Sequence, residues 1–295
     1  MVDGLAPVVG QPDLHAIVNT GDDGDFYGLR VCPDLDICTY TLAGVVDERG
    51  WGFVADTFRF VEGLATYGRD AWFGLGDRDL ATHMHRTLSL AEGKLMSEVT
   101  ADIASRLGVA ARLWPMCEEP VRTVITTPTG VKTFQEYLVR DGAREQITDI
   151  RLDGIENATA PEGMIDAIAA ADTIVIAPSS PVVSIGTILD VPGVRAAVAA
   201  RRDRVVAVSP IIGERPVEGP ADRFLAGVGV NECSPLVMAT MYADVASAFV
   251  IHGSETAEVR DAIAARGIRP VVTDILMPDR AHRARLAGEV LESMA

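Results

Sequence analysis

The sequence predicts an α/β protein built on a mostly parallel sheet. Short β-branched runs alternate with helical patterns through the second half of the chain, at 172–177, 204–209, 248–251 and 270–274. Hydrophobic residues make up 48% of the 295 positions, so the chain can bury a full core. On length alone this core belongs to one large domain with an insertion, or to two domains.

The net charge and the spacing of the cysteines argue against several classes of binding partner. The formal net charge of -16 argues against nucleic acid or an anionic membrane as a partner, because both require a basic surface. Cys32, Cys38, Cys117 and Cys233 lack zinc-type spacing, which is typical of a reduced intracellular protein. There is no apolar run of membrane-spanning length and no cationic leader, so the sequence predicts a soluble, cytoplasmic protein.

The N-terminal part predicts the end of a helix, a loop, a strand and a sharp turn. The strand is His15–Asn19 and the turn is Thr20–Asp25. Ligands of open α/β sheets bind beyond the carboxyl ends of strands, so a site is expected here. The candidate residues are Asn19, Asp22 and Asp23. A solvated acidic turn explains the same residues equally well.

Two acidic motifs, at 31–39 and 75–83, suggest a metal site. Each carries two aspartates two positions apart, Asp34 with Asp36 and Asp77 with Asp79. In an extended segment residues two apart share a face, so each pair can offer two carboxylates to one divalent cation. Mg²⁺ is usually held by one or two carboxylates together with substrate phosphates, which predicts a phosphorylated substrate.

Arg78 and His83 are the candidate phosphate partners, because they lie within the second acidic motif. For any single aspartate, capping a helix or solvating a turn is the more common role. Two clusters with an arginine between acids are harder to explain in that way.

The middle of the chain predicts helices and then a hairpin. From Asp36 to about Gly108 the pattern is helical, and its aromatic residues are interpreted as core. Ser97–Leu107 predicts an amphipathic helix that Gly108 ends. Two alternating runs, Arg122–Thr127 and Lys132–Val139, predict a hairpin around Pro128-Thr-Gly130.

A serine-rich loop, Pro178–Gly186, follows the strand at 172–177. Its hydroxyls and backbone N–H groups precede a predicted helix start at Ser184, so the loop is a candidate anion cradle. Ser184 as an ordinary helix cap is the competing interpretation. Farther along, the pattern predicts helices near 161–171, near 255–266 and over 280–293.

Five segments in this order resemble the 2-phospho-L-lactate transferase family of coenzyme F420 biosynthesis. They are Val18-Asn-Thr-Gly-Asp-Asp23, Pro33-Asp-Leu-Asp36, Leu75-Gly-Asp-Arg-Asp-Leu-Ala-Thr-His83, Pro178-Ser-Ser-Pro-Val-Val-Ser-Ile-Gly186 and Val208-Ser-Pro-Ile-Ile-Gly213. The resemblance covers essentially the whole chain. It implies a single transferase domain, 1–295, with a Rossmann-like three-layer core, a helical insertion at about 40–108 and the hairpin at about 121–139.

The resemblance also implies Mg²⁺ dependence, a homodimer and a reaction. A phosphorylated three-carbon acid passes from its guanosine diphosphate-linked donor to the 5′-hydroxyl of the deazaflavin Fo, and GMP is released. The acid is phospholactate, phosphoenolpyruvate or 3-phosphoglycerate, and no residue of the sequence discriminates among them.

On this resemblance, Asp34 and Asp36 hold Mg²⁺ and the donor diphosphate, with help from Asp77 or Asp79. Arg78 stabilises the transferring phosphoryl group, and Asp36 orients the acceptor hydroxyl or accepts its proton. The remaining predicted substrate contacts are Thr82 and His83 beside Arg78, Asn19, Asp22 and Asp23 toward Fo or nucleotide, and Ser179, Ser180 and Ser184 toward donor phosphate or guanosine.

One feature departs from the family pattern. Members open with a strand and a glycine-rich loop, whereas Met1–Leu5 resembles the inside of the following helix. The expectation is that the start was assigned too late. Two other functions stay open: a related phosphotransferase with another acceptor, and a non-catalytic binder of Fo or guanine nucleotide.

Overall fold

A computed structural model of the protein describes residues 1–48 and 50–295. The helices are α1 Val2–Val9, α2 Pro33–Ala43, α3 Arg59–Thr66, α4 Asp79–Ala91, α5 Met96–Arg106, α6 Met164–Ala170, α7 Ile185–Asp190, α8 Val194–Ala199, α9 Ala221–Gly227, α10 Pro235–Met241, α11 Ala257–Ala264 and α12 Arg280–Glu292. The strands are β1 His15–Val18, β2 Gly24–Phe26, β3 Leu29–Val31, β4 Arg112–Pro115, β5 Arg122–Thr127, β6 Gly130–Thr133, β7 Asp149–Asp153, β8 Ile174–Ile176, β9 Val205–Val208, β10 Ile211–Ile212, β11 Arg215–Pro216, β12 Ala248–His252 and β13 Arg269–Thr273.

The predicted α/β class with parallel strands is confirmed. Strands β13, β12, β9 and β8 form a four-stranded parallel sheet in that order, and β1 pairs in parallel with β4. Each of the four predicted runs in the second half of the chain forms one strand of the larger sheet. Among the described residues the parallel strands thus lie in two groups. In both groups a loop follows the carboxyl end of each strand.

The larger sheet is covered on both faces, as a parallel sheet requires. Val205 and Ala207 of β9 pack with residues of α8, α10 and α11 on one face. Val206 and Val208 pack with Leu286 and other residues of α12 on the other face. Successive side chains of a strand point to opposite faces, so β9 contributes to both layers and is fully buried.

The predicted hairpin forms, but its second strand is shorter than predicted. Strands β5 and β6 pair antiparallel around Pro128 and Thr129, and β7 pairs on the other side of β5. Strand β6 ends at Thr133, because Glu136–Arg140 is a π-helix. The Thr133 backbone N–H donates to Glu136 Oε2 at 2.9 Å, and the Thr133 hydroxyl accepts from the Glu136 N–H at 3.3 Å. This reciprocal cap ends the strand and begins the turn.

The extended geometry predicted for the two acidic motifs is wrong. Asp34 and Asp36 lie in the first turn of α2, and Asp79 begins α4. Residues two apart in an α-helix are rotated by about 200°, so they do not share a face. Pro33 at the first helical position, followed by acidic residues, is a typical start of a helix.

The predicted helical segment between α2 and Gly108 does contain three helices, α3, α4 and α5. The interpretation of its aromatic residues as core holds only in part. Phe53 is buried, whereas Trp51 is 60% exposed and Tyr67 is 85% exposed. Across residues 1–48 and 50–295, no helix is long and apolar enough to span a membrane.

Helices α1 and α12 pack closely at Gly4. A Cβ atom at Gly4 would lie 2.2 Å from the backbone oxygen of Arg283. Asp3 adds ion pairs to Arg280 and Arg283, at 3.1 Å and 3.0 Å. The N-terminal helix is therefore fixed against the C-terminal helix and, through it, against the larger sheet.

We expect the substitution Gly4→Ala to lower the melting temperature by roughly 5 °C, because the helix backbones must separate. The matched control is Gly288→Ala in α12, where no atom lies within 4 Å of the added Cβ. That substitution gains helix propensity and is expected to leave the melting temperature unchanged or slightly higher. Thermal unfolding of both variants checks this, and equal effects would contradict the close packing at Gly4.

Candidate active site

Asn19 is the centre of a buried acidic cluster at the carboxyl end of β1. Its Nδ2 donates to Asp22 Oδ2 at 2.8 Å and to Asp34 Oδ2 at 3.1 Å. Its Oδ1 accepts from the Gly21 backbone N–H at 2.9 Å and from the Thr187 hydroxyl at 2.7 Å. Three residues predicted as site residues, Asn19, Asp22 and Asp34, are thus brought together by one amide.

The buried position of this cluster disfavours the ionised form of its carboxyl groups. Burial, and then repulsion from Asp34, raises the pKa of Asp22 well above its usual value. Burial also raises the pKa of Asp34, and raises that of Asp23 to about 7. The Oδ1 atoms of Asp22 and Asp23 are buried without a hydrogen-bond partner among the described residues. Contacts with Thr123 and Cys32 act to lower the pKa values of Asp22 and Asp23 respectively. A buried oxygen without a full hydrogen bond is a position at which an ion or water can bind.

This donor set fits a small divalent cation. Carboxylate oxygens are the ligands that Mg²⁺ prefers, and one or two of them suffice when substrate phosphates complete the coordination. In the described part of the chain, no three His, Cys, Asp or Glu side chains converge as a complete metal cage. Asp22 and Asp34, joined by Asn19, are therefore the residues that could hold the ion at this position.

Asp36 has a different environment from Asp34. Both of its oxygens face the guanidinium of Arg86, with Arg86 Nη1 3.1 Å from Oδ2 and Nη2 bonded to Oδ1. The two side chains are buried, and Arg86 Nη1 also lies 3.3 Å from His83 Nδ1. This ion pair fixes α2 against α4 and compensates the charge of Asp36.

His83 lies between two carboxylates. Its Nδ1 is 3.6 Å from Asp36 Oδ2, and its Nε2 is 3.2 Å from Asp79 Oδ2 without the alignment of a hydrogen bond. The Tyr40 hydroxyl donates to Asp79 Oδ1 at 2.6 Å. Burial acts to raise the pKa of Asp79, but contacts with His83 and Tyr40 hold it below its usual value. His83 and Asp79 therefore form one polar unit on α4.

Arg78 and Asp77 lie outside this buried cluster. The Arg78 guanidinium is exposed, donates to the Val54 carbonyl at 3.0 Å and covers the Phe53 ring at 5.1 Å. Asp77 accepts from the backbone N–H groups of Arg59 and Phe60, so it caps α3. For Asp77, the contacts are therefore those of a helix cap, which was the alternative to a metal ligand.

Thr82 is half-buried on α4, next to His83. Neither it nor Asp77 contacts Asn19 through a hydrogen bond in the described residues. Their predicted contacts with substrate stay predictions.

The serine-rich loop is attached to the cluster through Asn19. Ser180 Oγ accepts from the backbone N–H groups of Val182 and Val183, at 3.3 Å each. The Val183 carbonyl in turn accepts from Asn19 Nδ2 at 3.4 Å. Helix α7 begins after Ser184 with no side-chain cap, so the Ser184 hydroxyl does not cap it. Ser179 and Ser184 are half-buried in the same loop.

Three cavities adjoin the buried side chains of the described residues, and one of them, of about 260 Å³, lies between Asp23 and Cys117. The other two are relevant to the predicted site. The first, of about 380 Å³, reaches Asp22 and Asp23 and is bounded by Arg122 and Gln135. The second, of about 300 Å³, reaches Asp36, Asp79 and His83. The aromatic residues lining the second are Tyr40, Trp51, Phe53, Phe58 and Phe73.

Sequence analysis did not single out Arg86 or Thr187. Arg86 follows His83 by three positions on α4, so it shares a helix face with a predicted site residue. That spacing was a usable signal. Thr187 lies in α7 just after the serine-rich loop, and no motif marked it.

The structure thus has a buried acidic centre at the carboxyl end of a strand, which is the position where open α/β sheets commonly bind ligands. The family model described as 2-phospho-L-lactate transferase CofD matches residues 1–290. The chain belongs to this family, which makes it a transferase of coenzyme F420 biosynthesis.

Similar proteins carry a narrower name. A phosphoenolpyruvate transferase from Streptomyces griseus subsp. griseus is 41% identical over 295 residues, covering 98% of this chain and 92% of that protein. One from Kitasatospora aureofaciens is 42% identical over 293 residues, covering 97% and 91%. One from Mycolicibacterium smegmatis is 45% identical over 233 residues, covering 76% and 71%.

A solved structure shares the fold. A crystal structure of a UPF0052 family member from Bacillus halodurans superposes with a TM-score of 0.63, at 15% identity, over 98% of this chain and 94% of that chain. At this level of identity the likeness shows the fold alone.

Breaking the Asp36–Arg86 pair is expected to destabilise the protein strongly, because each single change leaves a buried group unpaired. Either Asp36→Leu or Arg86→Met is expected to lower the melting temperature by roughly 10 °C. The double variant removes both charges and is expected to lose much less than the sum. Additive losses in thermal unfolding would contradict the direct pairing.

Proposed function

We propose that the protein transfers a phosphoenolpyruvyl group from a guanosine diphosphate-linked donor to the 5′-hydroxyl of Fo, and releases GMP. The observation that carries the proposal is the acidic cluster joined by Asn19, whose Asp22 lines a cavity, in a chain of the transferase family. In the reaction, the hydroxyl oxygen forms a new P–O bond and the bond to the bridging oxygen of GMP breaks. The hydroxyl proton passes to a base.

The choice of phosphoenolpyruvate rests on the relatives. Proteins named phosphoenolpyruvate transferase are 41% and 42% identical to this chain over nearly its full length. Phospholactate and 3-phosphoglycerate differ from it by small groups and are the comparison donors.

For the cation we favour Asp34 and Asp22 over the pair Asp34 and Asp36. Asp34 and Asp22 share the Asn19 amide, whereas both oxygens of Asp36 face Arg86. When bound, Mg²⁺ would neutralise charge on the donor diphosphate. The role of Arg78 at the transferring phosphoryl group is proposed from the family resemblance, because its exposed guanidinium covers Phe53 and donates to the Val54 carbonyl.

The aromatic cavity is proposed to bind the deazaflavin ring of Fo. Its walls include Trp51, Phe53 and Phe73, which offer flat apolar surfaces to a planar ring. Asp36 and His83 also line this cavity, but both oxygens of Asp36 face Arg86, so Asp36 is proposed to shape the cavity and not to orient the acceptor hydroxyl. His83 is proposed to orient Asp79, because its Nδ1 faces the donor Arg86 Nη1 and its Nε2 faces Asp79 Oδ2.

The donor is proposed to lie on the opposite side of Asn19. The cavity at Asp22 and Asp23 and the loop carrying Ser179, Ser180 and Ser184 both adjoin this residue, directly or through Val183. The homodimer implied by family resemblance also remains a proposal.

The test is GMP release from purified protein with Fo, Mg²⁺ and each of the three donors. We expect turnover with the phosphoenolpyruvyl donor. We expect a loss of roughly 10²-fold or more in kcat for Asp34→Asn, because the variant would hold the cation that neutralises developing negative charge less well. Trp51→Ala removes an exposed wall of the aromatic cavity, so we expect the KM for Fo to rise about fivefold. The surface variant Asp261→Asn is the control, since Asp261 is exposed on α11 and distant in sequence from the motifs.

Each alternative has its own outcome in this assay. Wild-type turnover by Asp34→Asn would show the acidic centre to be misassigned. Saturable Fo binding without GMP release would favour a binder. GMP release without modification of Fo would favour another acceptor.

The raised pKa values predict a pH-dependent response to Mg²⁺. Burial raises the pKa of Asp23 to about 7, whereas the pKa of an aspartate in an unfolded chain is about 3.9. The folded state therefore binds more protons between these values, and stability without a cation falls as the pH rises through this window.

Metal binding requires ionised carboxylates. We expect Mg²⁺ to raise the melting temperature by several degrees at pH 8, relative to EDTA, and to have little effect at pH 5. The Asp22→Asn variant is expected to lose most of the shift at pH 8. Equal shifts at both pH values would rule out buried carboxylates as the ligands.

A further inference from the structure

We propose that Thr187 is a positioning residue for the cation-binding carboxylates, because its hydroxyl fixes the amide of Asn19. The proposal rests on the cation site proposed above. Thr187 is fully buried in α7, and its hydroxyl lies 2.7 Å from Asn19 Oδ1. The two residues are 168 positions apart in the sequence, so the contact joins the serine-rich loop region to β1.

The amide of Asn19 can take two orientations, related by exchange of its oxygen and nitrogen. In the observed orientation Nδ2 faces Asp22 Oδ2 and Asp34 Oδ2, and Oδ1 faces two donors, the Gly21 N–H and the Thr187 hydroxyl. In the reversed orientation Oδ1 would face two carboxylates, and the NH₂ group would face the Gly21 N–H. The donors at Oδ1 therefore determine which end of the amide meets the acids.

The Thr187 hydroxyl also contacts the residue that precedes its own helix. It lies 2.5 Å from the Ser184 carbonyl and 2.7 Å from Asn19 Oδ1, so its single proton is shared between two acceptors. Thr187 thus joins the Asn19 amide to the start of α7.

Asp22 and Asp34 repel each other when both are ionised. A rigid donor shared by the two carboxylates keeps their separation fixed when no cation is bound. The repulsion between Asp22 and Asp34 contributes to their unfavourable burial, and Asn19 Nδ2 is a neutral donor to both. Substitution of a residue that orients metal ligands by hydrogen bonding commonly weakens metal affinity by about 10- to 100-fold. Thr187 occupies that position.

The experiment measures the dissociation constant of Mn²⁺ in the absence of both substrates, by electron paramagnetic resonance. Thr187→Val keeps the shape and removes the donor, so we expect Mn²⁺ binding to weaken roughly tenfold. Thr187→Ser keeps the hydroxyl and is expected to stay within about twofold of wild type. The matched control is Thr100→Val, because Thr100 is also buried and bonds to a carbonyl four residues earlier, Met96 O, at 2.8 Å.

If Thr187→Val does not fold, Thr187→Ala removes the same donor with a smaller side chain and carries the same prediction. Wild-type Mn²⁺ affinity in the folded variant would overturn the positioning role while leaving the proposed transferase function intact. Equal weakening by Thr187→Val and Thr187→Ser would overturn it too, because packing rather than the hydroxyl would then be responsible. If the wild-type protein binds no Mn²⁺ alone, the measurement is repeated with GDP, whose phosphates can complete the coordination. No binding in that case would remove the cation site itself, and this inference with it.

Discussion

The neutral amide of Asn19 is the contact on which the acidic centre depends. Carboxylates are stable in a buried position only when they are paired, hydrogen-bonded or protonated. Asn19 gives Asp22 and Asp34 a common donor without neutralising their charge. The pKa values of both acids consequently stay raised by burial, and the centre retains its capacity for a cation.

The neighbouring acid, Asp36, shows the opposite arrangement. It lies two positions after Asp34 in α2, on another face of the helix, and forms a buried ion pair with Arg86 of α4. Its charge is already compensated, so it contributes to the packing of α2 on α4 and to the wall of the aromatic cavity. The first turn of α2 thereby places Asp36 in an ion pair with Arg86 and leaves Asp34 for the proposed cation.

Much of the fold could be predicted, because its signals are local. The strands β8, β9, β12 and β13 follow from β-branched runs, and α5 follows from apolar periodicity. Asn19, Asp22 and Asp34 could be proposed as site residues because they follow a strand or open a motif. The extended geometry of the acidic motifs was wrong, although Pro33 at the first helical position was a signal for a helix.

The contacts that define the centre could not be predicted from local patterns. Arg86 meets Asp36 across 50 positions, and Thr187 meets Asn19 across 168 positions. Spacing within one element carries no information on such pairs. The same limit applies to the aromatic cavity, because composition alone did not distinguish the exposed Trp51 from the buried Phe53.

The central claim is that Asp22 and Asp34, joined by Asn19, form the cation site of the transferase. Anomalous diffraction from crystals of the protein grown with Mn²⁺ and a guanosine diphosphate-linked donor tests it directly. The account predicts an anomalous peak within coordination distance of carboxylate oxygens of both Asp22 and Asp34. A peak at Asp36 or Asp77 instead, or a bound donor with no peak between Asp22 and Asp34, would contradict it.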